Sequence, residues 1–151
     1  MPDAAPPLFP VLPEDFDEFV EWLDRFGRAL VLLDERPLPE VGAVVADAAA
    51  RVRDHIRTFD RVLLGPAEGA IARGESSRLI ADHRWFETSL EQLDWCYGIV
   101  AREDHGGHRQ ALGQYARLLA EALRRHRARE RARSTRDRTA PTAVGPGVGK
   151  P

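Results

Sequence analysis

"LIADHRWFETSLEQLDWCYGIV", residues 79–100, decides the fold. Leu79, Phe86, Leu90, Leu93, Tyr97 and Val100 recur at steps of three and four, the spacing of one face of an α-helix. His83 falls on the same line, where a hydrophobe is expected. The stretch is therefore a core-facing helix that carries one imidazole into its apolar seam.

The same period runs through most of the chain. Phe16, Phe19, Leu23, Phe26, Leu30 and Leu33 mark a first helix whose early turns are acidic, where the helix dipole favours negative charge. "RPLP", residues 36–39, breaks it. A second helix over about 40–63 has the stripe Val41, Val45, Ala48, Val52, His55, Phe59, Val62. Gly65-Pro66 and Gly74 are turn signals that place the start of the third helix near residue 75. "DHGG", 104–107, is a tight turn, after which His108, Leu112, Tyr115, Leu119, Ala122 and His126 form a fourth stripe. Four amphipathic helices joined by short connections predict an all-α fold, an antiparallel up-down-up-down four-helix bundle over 14–134. The proline-rich residues 1–13 read as an extended arm, and the Gly/Pro-rich residues 135–151 as a disordered tail.

Composition narrows the function classes. The 151 residues carry a net charge of −2 and 43 % hydrophobic residues, a balance that gives no general pull toward nucleic acid. No apolar run is long enough to span a membrane, and the N-terminus does not read as a secretion signal. A single cysteine, Cys96, excludes an intramolecular disulfide and any multi-thiolate metal site; a reducing cytoplasm suits it.

The histidines carry the chemistry. In an antiparallel hairpin, residues equidistant from the turn lie side by side. His83 and His126 are symmetric about the turn at 104–105, and His55 and His83 about the one at 69–70. Both hairpins thus bring His55, His83 and His126 to one height, facing inward. Glu87 and Glu130 each follow a histidine by four residues, on the same helix face. Glu14, Glu18 and Glu21 reach this end from the first helix, but Phe16 and Phe19 hold its inward stripe, so these acids flank the core. Imidazoles and carboxylates projecting from facing helices suit a non-haem iron or manganese centre, and zinc accepts the same donors.

On "RDHIRTF", "DHRWFE" and "RRHRARE" the chain resembles the hemerythrin-like (HHE cation-binding) family. The resemblance implies a four-helix bundle with an iron pair at one end, held by histidines from all four helices and two carboxylates. It assigns His55 to the second helix, His83 to the third and His126 to the fourth, with Glu87 and Glu130 as terminal or bridging ligands. It also implies binding or sensing of oxygen, nitric oxide or iron itself. The chain departs from the pattern at four places: the first helix has no histidine, Phe59 stands where a bridging Glu belongs, Glu87 where a second His belongs, and Glu130 follows His126 one residue short of the usual acid spacing.

The expected cofactor is iron, one ion or two, with haem between two facing histidines as a lesser alternative. The expected partner is a small diatomic ligand or a metal ion; self-association is open. No substrate pocket is evident, so binding or sensing is expected over turnover. The competing class is a metal-free bundle serving assembly or partner docking. His105 and His108 read as a polar turn, Trp85, Trp95 and Tyr97 as packing residues, and Cys96 as an inert core residue. The arginines from 124 to 138 read as a salt-bridged helix end opposite the acidic start of the first helix.

Overall fold

Asp15 starts the first helix by capping it: its backbone is extended, and its carboxylate accepts from the amide of Glu18 at 2.9 Å. The computed structural model describes residues 13–32, 35–63 and 70–139, with side chains over 13–32, 35–59 and 77–133. Four helices make up the fold: α1 (Phe16–Val31), α2 (Leu38–Leu63), α3 (Ala70–Arg102) and α4 (Gly106–Thr139), with no strand among the described residues. Pro39 sits in the first turn of α2, where a missing amide hydrogen costs nothing. His105 caps α4, its Nδ1 accepting from the amides of Gly107 at 3.0 Å and His108 at 3.3 Å.

Each helix packs on the next around the bundle, α4 against α1 and α3, and α3 against α2. The expected stripes of α1, α2 and α3 form the core: Phe19, Leu23, Phe26 and Leu30 meet Val41, Val45, Ala48 and Val52, with Phe86, Leu90, Leu93 and Val100 opposite. Cys96 is buried among them, as expected. The described helices include none long and apolar enough to cross a membrane.

Several expectations are corrected. On α4 the buried face is Leu112, Ala116, Leu119, Ala120 and Leu123, while Tyr115 is 38 % exposed and His108 only half-buried. The reason is the neighbour. α1 and α4 approach so closely at Gly27 and Gly113 that a Cβ on Gly113 would stand 2.5 Å from the Gly27 carbonyl oxygen. That contact turns the small residues Gly113, Ala116 and Ala120 inward and leaves Tyr115 at the rim. Trp85 and Trp95 are likewise exposed, at 49 % and 64 %, because they lie on the outer side of α3. α3 begins at Ala70, so Gly74 lies within it and not in the connection. α4 runs to Thr139, five residues past the expected end of the bundle; residues 1–12 and 140–151 lie outside the described residues, as do Leu33 and the side chain of Val62.

At the end near the α3–α4 turn, Arg109 clamps the connections. Its guanidinium holds Asp104 at 2.6 and 2.8 Å and donates to the carbonyl of Arg36 at 2.7 Å. At the other end, α1 and α4 exchange ion pairs: Arg124 with Glu21 at 2.6 Å and Asp24 at 3.2 Å, and Arg127 with Asp17 at 3.0 Å. Arg131 also reaches Asp17. This is the salt-bridged helix end read from the arginine run.

The Gly27–Gly113 contact predicts a sign opposite to helix propensity. Gly113→Ala gains about 1 kcal/mol of propensity but forces backbone apart, and is expected to lose about 1–3 kcal/mol net in a urea titration. Gly42→Ala, whose Cβ would meet only the movable end of Tyr97, is expected to cost clearly less. A neutral or stabilising Gly113→Ala would disprove the close crossing.

Candidate metal centre

Three helices deliver the imidazoles. His55 comes from α2, His83 from α3 and His126 from α4, each on the inward face of its helix, 8 %, 2 % and 0 % exposed. Their rings stand close together, His83 to His126 at 4.7 Å, His55 to His126 at 5.7 Å and His55 to His83 at 6.0 Å between centroids. The common height expected from the two hairpins is what the structure has.

Glu130, one turn after His126, is the fourth member and is 5 % exposed. Its Oε1 lies 2.7 Å from His126 Nε2 and 3.0 Å from His55 Nε2. His126 Nε2 is also 3.0 Å from His83 Nε2. One ligand atom from each of His55, His83, His126 and Glu130 falls within 4.8 Å of the others. Donors bound to one first-row ion at about 2.0–2.2 Å stand about 3–3.5 Å apart, and the His55–Glu130 and His83–His126 spacings of 3.0 Å already suit a single ion. Two facing Nε2 atoms at 3.0 Å also mean that at least one ring presents a lone pair there.

The surroundings fix these donors. Glu130 Oε2 accepts from Arg127 at 2.7 Å, which leaves Oε1 as the oxygen turned toward the imidazoles. His126 Nδ1 faces Asp82 Oδ2 at 3.0 Å, and Arg129 donates to the same oxygen at 2.6 Å. Phe16 stacks on His55 at 4.2 Å with an interplanar angle of 14°, Phe59 lies 4.5 Å from the same imidazole, and Phe86 meets His126 edge-on at 5.1 Å. Aromatic rings thus line the polar cluster and limit its contact with water.

Glu87 does not join. It is exposed on α3, turned away from the imidazoles by the rotation of its helix. Glu14, Glu18 and Glu21 are exposed too, and α1 contributes Phe16 to the cluster in place of a ligand. Asp82 is a participant that the spacing of the histidines and their following acids does not select. Its signal was present in the chain: it lies one residue before His83, on the side of α3 that faces α4. His105 and His108 lie at the opposite end of the bundle, at the expected turn, with ring centroids 3.6 Å apart and planes tilted by 30°.

The charges work against one another. Burial disfavours a charged His126, but hydrogen bonds to Glu130 and Asp82 outweigh it and hold the ring's pKa above its ordinary value. Burial would likewise raise Glu130, yet contacts with His126, His55 and Arg127 hold its carboxyl well below the usual carboxylate range. Arg127 and Arg131 lower Asp17 against a smaller opposing effect of burial.

Both directions of pH matter for the metal-free protein. Glu130 and Asp17, lowered on folding, contribute stability above their ordinary values of 4.5 and 3.8 and lose it as pH falls through the lowered ones. His126, raised on folding, contributes below its ordinary 6.5 and loses this as pH rises through the raised value. The thermal midpoint of chelator-treated protein is expected to fall below the carboxylate range and again as pH rises beyond the ordinary imidazole value of 6.5 and through the raised one. A midpoint that stays level between about pH 6 and pH 9 would show that His126 is not charged in the metal-free fold.

Compared with known proteins, the chain matches no family model, no curated protein and no solved structure.

Proposed function

We propose that this protein is a hemerythrin-like metal-binding bundle, whose centre takes one first-row divalent ion, iron foremost, to bind or sense oxygen or nitric oxide or to handle iron. The observation that carries the reading is the convergence of His55, His83, His126 and Glu130 from three helices, with ligand atoms within 4.8 Å. Three imidazoles and one carboxylate are donors for iron or zinc, and poor ones for magnesium or calcium, which favour oxygen throughout. Iron bound there would supply a redox-active position at which a diatomic molecule can coordinate. His55, His83 and His126 would hold the ion, Glu130 would offset part of its charge, and Phe16, Phe59 and Phe86 would keep bulk water back.

One ion is favoured over the family's pair. A pair set about 3.5–4 Å apart needs carboxylates to bridge it. The second helix offers Phe59 where that bridge would be, and Arg127 already occupies the outer oxygen of Glu130.

A metal-free bundle is the second reading, and one observation favours it. A protonated His126 between Asp82 and Glu130 satisfies both of its nitrogens without an ion. The readings differ in a single preparation. Protein reconstituted anaerobically with ferrous iron, then desalted, is expected to hold one ion per chain and to melt at a higher temperature than the metal-free form. His83→Ala and His126→Ala should each lose the ion, and Glu87→Ala should keep it. Folded wild-type protein that retains neither iron nor zinc would overturn the metal reading. An optical spectrum of the same sample would reveal haem.

A further inference from the structure

The most buried of the four donors, His126, is also the one tied most directly to the surface. Its Nε2 turns into the cluster, while Nδ1 meets Asp82 Oδ2 at 3.0 Å. Asp82 is one-quarter exposed and accepts at the same oxygen from Arg129, whose side chain is half in solvent. Both residues line an open cleft of about 370 Å³ between α3 and α4, together with Trp85, Phe86, Ala122 and Arg125. The order is therefore guanidinium, carboxylate, imidazole, then the convergent donor atoms.

We infer that Asp82 is the positioning residue of the centre: it holds His126 as the Nδ1–H tautomer and directs the Nε2 lone pair at the ion, and Arg129 holds Asp82 in place for that task. This rests on the metal reading above. The physical reason is the two-ended chemistry of imidazole. A neutral ring carries one proton, and a carboxylate at Nδ1 keeps it there, leaving Nε2 as the donor. A carboxylate at the far nitrogen also makes a ligating imidazole more basic and stops it rotating. His126 needs this more than its neighbours, since Nε2 faces both Glu130 and His83 within 3.0 Å and would otherwise keep a proton there.

The test uses the full-length protein loaded with zinc, a diamagnetic probe, beside Asp82→Ala, Asp82→Asn and Arg129→Gln, all checked for helical content. Chelator competition should show about 10- to 100-fold weaker zinc binding in Asp82→Ala. Asp82→Asn, whose amide oxygen still accepts from Nδ1–H, should recover part of the loss, and Arg129→Gln should lose less than Asp82→Ala. Long-range proton–nitrogen NMR of the zinc-loaded wild type should show a protected Nδ1–H on His126, absent or fast-exchanging in Asp82→Ala. A purely structural Asp82 would move stability without moving that resonance. Wild-type affinity and an intact Nδ1–H resonance in a folded Asp82→Ala would overturn this inference alone. A wild type that takes up no zinc or iron would overturn the metal reading and this inference with it.

Discussion

A carboxylate inside a helical bundle persists in its charged form only where donors surround it, and the polar end of this core is organised around that requirement. Glu130 is 5 % exposed, and an isolated carboxylate there would cost several kcal/mol or take up a proton. His126 and His55 approach one oxygen and Arg127 the other. The demand spreads outward from there. Arg127, drawn inward by Glu130, needs Asp17 on α1, and His126, drawn toward the same carboxylate, needs Asp82 on α3. Four helices are thereby tied to one buried charge, α2 through His55, α3 through Asp82, α4 through Glu130 and α1 through Asp17.

The apolar remainder is built differently. From Phe19 to Leu30 on α1, and along the facing stripes of the other helices, stability comes from burial and close packing. The Gly27–Gly113 contact brings α1 and α4 nearer than side chains would allow. Its position sets which face of α4 turns inward, and so helps set the direction in which His126 and Glu130 point further along the same helix. A rigid apolar half holds a polar half in register, the arrangement a binding site needs if its donors are to stay in place.

Much of the fold was legible because period and burial are local quantities. Each of α1, α2 and α3 has an unbroken three-four stripe, and among its described members the structure buries all but the half-buried Phe16, Phe59 and Tyr97. α4 was less legible: Tyr115 fits the spacing as well as Ala116 does, and only the approach of α1 at Gly113 selects the alanine. The exposed Trp85 and Trp95 show the same limit from the other side, since a large apolar residue carries no mark of which way its helix is turned. Gly74 read as a turn, yet a helix driven by tertiary packing tolerates a glycine at a cost of about 1 kcal/mol.

For the candidate site, the sequence by itself determined that three imidazoles share a height, because the helical rise per residue and two short turns leave little freedom along the bundle axis. It also determined that Glu130 shares a face with His126, one turn away. Rotation about each helix axis was decided only in the tertiary structure. That rotation turns Glu87 outward, brings Asp82 onto His126, and sets Phe16 against His55. Height along a bundle follows from counting residues. Azimuth follows from how neighbouring helices pack, and a single helix contains no record of its neighbours.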